Sequence, residues 1–464
     1  MAKNIWLLTE ERPKPSVILS ILERFCSDNG FGYSVGDAKV LPIMDEQGHF
    51  TFCYKFIGVS SKEIKRIFIL PVSGYSSFVD FMLFYQDERP TDKDQPWYLI
   101  EETKTDGKES RNTGVYQRCS KFVYCEHYYP GVKRIMLYNI HGGQAEKHPP
   151  SIIFGTRMLL TIGVDVMGKQ LDPAIFRPFE TIDDLVDYKN KMNAPGYGQK
   201  VEIKRTEDAI YISAKLEKYG KLEHDPTIGM VSLIADCLRK FGWAGRIVIT
   251  DHGVTKYSAT GKNKFNYIAR ICAIELEGLD RSNVAFPNAY WQLEKEREKS
   301  GTILAHILCE NEPNGKLVYE NHGGCERGYF YEYSTGSRTW APVEKYEDKV
   351  AYKAGDKKKI VHLPDLVIFD KKRNEVTNME GKTYRKRQDG IEELDNFNAF
   401  EKLVRTFYGD VTIKRALVLA GSGDSATAKK IPELCLYLDS EGVITLGDSA
   451  PAILKDAVAN LAAA

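Results

Sequence analysis

Two stretches of this chain set an aspartate, a glutamate and a lysine where neighbouring β-strands would bring them together. In the later one, Pro364-Asp365 opens the apolar run Leu366-Val367-Ile368-Phe369, a polar Lys-Lys-Arg-Asn turn follows, and a second run carries Glu380-Gly381-Lys382. Fourteen residues lie between Asp365 and Glu380, which suits two strands joined by a hairpin. Side chains two apart on a strand share a face, so Glu380 and Lys382 are expected to point together toward Asp365. In the earlier stretch, Asp80 opens Phe-Met-Leu-Phe-Tyr-Gln, a polar loop follows, and the run over 97–105 carries Glu102 and Lys104 on one face. Twenty-one residues lie between Asp80 and Glu102, and Glu101 is a rival acid in the same pair.

Carboxylates on apolar strands are costly unless paired or bound to a metal. Phosphodiester hydrolysis would account for them. Mg²⁺ takes oxygen from one or two carboxylates, keeps several waters and binds substrate phosphate. A lysine beside it can orient or deprotonate the attacking water and stabilise the developing charge.

This pattern resembles the PD-(D/E)xK nuclease superfamily, which includes most type II restriction endonucleases. Pro364-Asp365 with Glu380-Gly381-Lys382 matches the full motif; Asp80 with Glu102-Thr103-Lys104 matches apart from the leading proline, where Val79 stands. The resemblance implies two sites, Asp80/Glu102/Lys104 and Asp365/Glu380/Lys382, each holding Mg²⁺ through its Asp and Glu. It also implies products with 5′-phosphate and 3′-hydroxyl ends, and a cognate DNA methyltransferase in the same system. Two sites in one chain suggest that each cuts one strand; if only the first is active, a homodimer is the natural cutting unit. A repair or junction nuclease that selects shape is an alternative, as is a non-catalytic nucleic-acid-binding protein with decayed nuclease folds.

Contacts to double-stranded DNA are expected from the stretch after the first site, with Arg111, Asn112, Gln117 and Arg118, because Arg, Asn and Gln pair with base edges. Lys121 lies in the same stretch. Lys262 and Lys264 of the middle region are further candidates, as are Arg385, Lys386 and Arg387, a grip for phosphate. The net charge is zero, with 64 basic and 64 acidic residues, which argues against a generic polyanion binder. Yet from Lys353 to Arg387 eleven basic residues face five acidic ones, a local excess of +6. His306, Cys309, His322 and Cys325 could supply four zinc ligands, but a strand over 302–309 would turn the first two to opposite faces. No phosphate-binding loop, dinucleotide fingerprint or Ser-His-Asp pattern stands out.

The elements expected to position these residues are a helix at 15–27 and strands at 51–59, 66–72, 78–85, 97–105 and 134–140, with a helix at 113–127. A helix at 228–241 and strands at 246–250 and 266–276 follow. The later part reads as a helix at 290–300, strands at 302–309, 328–333, 360–369 and 375–382, a helix at 392–408 and a strand at 413–420. The expected fold class is α/β (mixed α+β), with two PD-(D/E)xK-like nuclease cores, 1–175 and 286–464, flanking a DNA-recognition segment at 176–285. Hydrophobic residues make up 43%, enough for a large core. No secretion signal or membrane-length apolar run is read, and nine scattered cysteines suggest reduced thiols in a cytoplasm.

Overall fold

The computed structural model describes residues 1–74, 78–103, 114–138, 150–167, 172–192, 201–213, 224–250, 266–278, 285–321, 327–331, 340–344 and 361–463. Its elements are mixed α and β, and by packing they fall into two units. One unit comprises Ile5–Glu10 and Val72–Gln292; the other comprises Met1–Asn4, Glu11–Pro71 and Leu293–Ala464.

In the first unit, β1 (Lys3–Thr9) pairs antiparallel with β5 (Phe81–Tyr85), and β5 antiparallel with β6 (Tyr98–Thr103). The chain then crosses through α2 (Gly114–Tyr128) to β7 (Lys133–Tyr138), and through α3 (Pro150–Thr161) to β8 (Val164–Met167). Both β7 and β8 join parallel. A second sheet places β9 (Glu202–Arg205) antiparallel to β10 (Ala209–Ser213), with β11 (Arg246–Thr250) and β12 (Ile274–Leu276) parallel to it. Helix α4 (Ile182–Lys191) precedes this sheet. Its N-cap Thr181 accepts a hydrogen bond from the Asp184 amide, closing the exposed first turn. Helix α5 (His224–Lys240) links β10 to β11, and α6 (266–271) links β11 to β12.

The strand expected over 266–276 is therefore a helix followed by the short β12. The mixed run Asn-Tyr-Ile-Ala-Arg-Ile-Cys-Ala has no strict alternation, and Tyr267, Ile268 and Ala269 are buried together. The guanidinium of Arg239 holds this connection. It donates to the carbonyls of Trp243 (2.6 Å), Gly245 (2.9 Å), Ala273 (3.0 Å) and Cys272 (3.1 Å), tying the end of α5 to the strands on either side. A lysine cannot serve four acceptors spread around a plane. Arg239→Lys is expected to lower stability by about 1–2 kcal/mol, the net value of one or two lost bonds to a charged donor, measured by urea unfolding.

In the second unit, α1 (Pro15–Asn29) starts on a proline and stops at Gly30, whose φ of 66° closes the C-terminus. An antiparallel meander follows, of β2 (Tyr33–Met44), β3 (Phe50–Ser61) and β4 (Ile64–Gly74). Beyond the short β13 (Trp291–Leu293) comes α7 (Glu298–Asn311). These elements replace the helix expected at 290–300 and the strand expected at 302–309. Ser300, Gly301 and every residue from Ile303 to Cys309 are buried, so the run lacks the polar stripe that marks a helix.

An eight-stranded sheet then builds on β14 (Gly315–Asn321). To one side lie β15 (Arg327–Tyr331) and β16 (Trp340–Glu344). To the other lie β17 (Leu366–Asp370), β18 (Glu375–Thr383), β19 (Thr412–Ala420), β20 (Leu434–Leu438) and β21 (Ile444–Leu446). Between β18 and β19 run α8 (Arg387–Leu394) and α9 (Asn398–Tyr408), two helices where the sequence suggested one over 392–408. Phe400 and Val404 of α9 bury the face that bears Val367 and Val376. Leu394 and Phe397 join Leu417, Leu419, Leu434 and Tyr437. On the opposite face α7 lies close. A Cβ on its Gly301 would stand 3.0 Å from Val418 and 3.1 Å from the Leu419 carbonyl. Parallel strands covered on both faces read as unbroken apolar runs, as Ala416–Ala420 and Leu434–Leu438 do.

Strand order and direction match in the two units. The series β1-β5-β6-β7-β8 and β14-β17-β18-β19-β20 each pair antiparallel, antiparallel, parallel, parallel, and a helix follows the third strand in both. No sequence repeat announces this. Among the described residues no helix is long and apolar enough to cross a membrane.

Candidate functional site

The β17–β18 hairpin is fixed by its turn. Asp370 accepts the amides of Lys372 (3.0 Å) and Arg373 (3.2 Å) and binds the Arg373 guanidinium at 2.7 Å. Asn374 takes a φ of 48°, a conformation asparagine tolerates. The register that follows pairs Leu366 with Met379, which sets Asp365 across from Glu380 on one face. The Asp365 carboxylate accepts the Gly381 amide at 2.9 Å. Lys382, two residues on, bonds the Glu380 carboxylate directly. It also bonds Glu393 of α8 at 2.9 Å. Asp365, Glu380 and Lys382 are thus brought together, and Glu393 is a member the sequence did not announce. Its only signal was an acid on the helix that follows the motif strand.

Glycine is required twice. A Cβ at Gly381 would stand 2.4 Å from the Thr302 methyl of α7. At Gly390 of α8 it would stand 2.8 Å from the Lys382 Cγ, so that glycine opens the channel through which the lysine stem passes.

Electrostatics distinguish the groups. Glu380 is 3% exposed. Desolvation first, then the charge of Asp365 and a hydrogen bond shared with the Glu393 carboxyl, push its pKa up to about 9, against the opposing pull of Lys382. Asp365 lies at the open mouth of the site, yet the surrounding protein desolvates its carboxyl and raises its pKa, with the Gly381 amide and Lys382 pulling it down and Glu298 and Glu393 pushing it up. Burial disfavours the charge on Lys382, but Glu380 and Glu393 outweigh it and its pKa is raised. Glu393 is partly desolvated, but its contacts with Glu380, Lys382 and His362 hold its pKa down. Lys382 is therefore a fixed ammonium at neutral pH, suited to donating hydrogen bonds and unsuited to taking a proton from water.

Glu380 Oε2 is buried and accepts no hydrogen bond among the described residues. Asn378, two residues earlier on the same strand face and fully buried, likewise has no partner for its amide among them. Buried acceptors without donors call for a water or an ion. Asp365 and Glu380, with Oε2 open, fit Mg²⁺, which needs one or two carboxylates and keeps waters in its other positions. Among the described residues no cluster of three or more His, Cys, Asp or Glu forms an all-protein cage.

In the other unit the expected grouping changes by one residue. Phe81 pairs with Ile100, so Asp80 faces Glu101, and Glu102 turns to the opposite side of the strand. Asp80 accepts the Glu102 amide at 2.7 Å, and the Glu101 carboxylate accepts the Asp80 amide at 3.1 Å. Lys121 of α2 reaches both acids, at 2.8 Å from Glu101 and 3.3 Å from Asp80. Glu102 thus does not share a site face with Asp80. Lys104 lies outside the described residues, as do Arg111, Asn112, Lys262 and Lys264; Gln117 and Arg118 lie on α2, but their side chains are outside them.

Arg385 and Lys386 are exposed in the 3₁₀ turn Tyr384–Lys386 just after the site. Arg387 is partly used by the fold: it donates to the Tyr384 carbonyl at 3.2 Å and lies 4.8 Å from the centre of that ring. His306 and Cys309 are buried on α7, not on a strand, while His322 and Cys325 lie outside the described residues. Set against protein-family models, curated proteins and solved structures, the chain finds no match.

Proposed function

We propose that the protein is a Mg²⁺-dependent nuclease that hydrolyses phosphodiester bonds in double-stranded DNA, with Asp365 and Glu380 as metal ligands. One observation carries this reading. A buried glutamate, one of whose oxygens has no hydrogen-bond partner among the described residues, stands across from an exposed aspartate and beside a fixed ammonium.

Bound Mg²⁺ supplies Lewis acidity and a water of lowered pKa. Lys382, held by Glu380 and Glu393, donates to the attacking water or to a non-bridging phosphate oxygen and offsets the charge that develops there. The exposed Arg385 and Lys386 hold the DNA backbone beside it. The water oxygen bonds to phosphorus as the bond to the 3′ oxygen breaks. One water proton leaves to solvent and the 3′ oxygen takes one up, which yields 5′-phosphate and 3′-hydroxyl ends. Sequence specificity and a companion methyltransferase extend the proposal through the family resemblance alone.

The test is digestion of a sequenced plasmid with Mg²⁺ or with chelator, by the unaltered protein and by Asp365→Asn and Lys382→Ala. Discrete fragments with phosphorylated 5′ ends, formed only with Mg²⁺ and at least about 10²-fold more slowly by either variant, are expected. Absence of Mg²⁺-dependent cleavage, or cleavage indifferent to both substitutions, would sink the proposal. Nicking confined to junctions or flaps would replace sequence by shape as the recognised feature.

A further inference from the structure

We propose that a second phosphodiester site lies on the sheet of the unit Val72–Gln292, formed by Asp80 and Glu101 as metal ligands, with its ammonium delivered by Lys121 from helix α2. This rests on the nuclease reading of the Asp365 site.

Four observations converge. Asp80 and Glu101 face each other across an antiparallel pair, as Asp365 and Glu380 do. The aspartate takes the backbone amide that follows the glutamate in both places, Glu102 at 2.7 Å and Gly381 at 2.9 Å. Both pairs occupy the second and third strands of sheets with the same order and directions. In both, the helix after the third strand reaches the acids or their lysine.

What differs is where the charges sit. At the later site the ammonium is on the strand (Lys382) and the helix brings a carboxylate (Glu393). At the earlier site the corresponding strand position is Thr103, and the helix brings the ammonium of Lys121. The ammonium comes from the helix in place of the strand, and in both sites it bonds the glutamate.

Glu101 is 0% and Asp80 7% exposed, with the Lys121 side chain more open. A buried ion pair of this kind adds little net stability compared with apolar residues of the same volume, so the fold does not demand it. An ammonium within 2.8–3.3 Å of two carboxylates can offset one of their two charges, leaving a net negative site that a divalent cation would complement, and can turn to substrate phosphate when a cation takes its place. Hydrolysis here has the balance given above, with Lys121 in the role of Lys382.

The experiment uses the full chain with supercoiled plasmid and, separately, Mn²⁺ titration calorimetry. The unaltered protein is expected to linearise plasmid and to bind Mn²⁺ at two classes of site. Glu101→Gln is expected to stop at the open circle and to lose one class. Glu380→Gln should also only nick, and the double variant should lower nicking by at least about 10³-fold. Lys121→Met should nick only, be less heat-stable than the unaltered protein without metal, recover that difference with Mn²⁺, and bind Mn²⁺ more tightly at this site. Glu102→Gln, whose side chain faces away, should linearise plasmid normally. The inference is overturned if Glu101→Gln and Lys121→Met linearise plasmid and bind Mn²⁺ as the unaltered protein does. If Glu380→Gln then abolishes cleavage, the nuclease reading survives with one site. Should the unaltered protein cut nothing, the nuclease reading fails, and an Mn²⁺ stoichiometry unchanged by Glu101→Gln overturns the inference too.

Discussion

Glu380→Gln is expected to remove cleavage at its site while making the metal-free protein more stable. Replacing a metal-ligating carboxylate by an amide should lower the rate of that site by at least about 10³-fold, near 4 kcal/mol of transition-state stabilisation. The stability effect follows from burial. Glu380 has a pKa near 9 in the folded chain against an ordinary 4.5, so the folded state binds more protons between these values. Stability from such a group is complete below pH 4.5 and lost progressively as pH rises through about 9. At pH 7 the neutral acid, or an amide that imitates it, avoids a cost of at most about 3 kcal/mol, from about 1.4 kcal/mol per pKa unit. Urea unfolding in chelator should show Glu380→Gln close to the unaltered protein at pH 5 and increasingly more stable toward pH 8.5. Added Mg²⁺ should raise the stability of the unaltered protein and leave the variant's gain smaller, since only the former presents both proposed ligands. A variant less stable than its parent at pH 8.5 would mean that the carboxylate is well solvated or fully paired.

How much of this was legible depends on what fixes each residue. The Asp365/Glu380/Lys382 grouping was readable because the turn is short and polar, so residue counting sets the register. The Asp80 strand returns through a longer loop, 86–97, and there counting fails. A slip of one residue turns every side chain over, which is why the sequence favoured Glu102 where the structure presents Glu101. Lys121 and Glu393 sit on helices whose rotation against the sheet is decided by packing, by Phe122 and Tyr124 around the first and by Gly390 against Leu417 around the second. Strands β5, β6, β17, β18 and β19 announced themselves as apolar runs between polar turns. Helix α7 did not, because a helix buried on nearly every side loses its period. The shared strand order of the two units depends on pairings between distant segments, which no local pattern encodes.

Gly381→Ala is expected to damage cleavage through packing alone, and Thr302→Ser to repair it. The alanine keeps the backbone amide that Asp365 accepts and adds only a methyl. That methyl would stand 2.4 Å from the Thr302 Cγ2, on a β-branched side chain whose hydroxyl is tied to the Glu298 and Lys299 carbonyls at 3.3 and 3.2 Å. A stiff rotamer cannot swing aside, so β18 and α7 must separate. Overpacking of this kind costs about 1–3 kcal/mol. The displacement moves Glu380 and Lys382, which flank Gly381, relative to Asp365, and a misplacement near 1 Å lowers catalysis by about 10²-fold. In Gly381→Ala with Thr302→Ser the clashing methyl is gone and the hydroxyl can keep its bonds. The nearest remaining contact is then Asp365 Oδ2 at 3.3 Å, a distance a small shift relieves. Cleavage rate and urea midpoint should both recover most of the loss in the double variant, while Thr302→Ser alone stays near the parent in both. If the double variant stays as slow as Gly381→Ala, the methyl contact is not what separates the strand from the helix, and the lost activity has a cause inside the acid–lysine group.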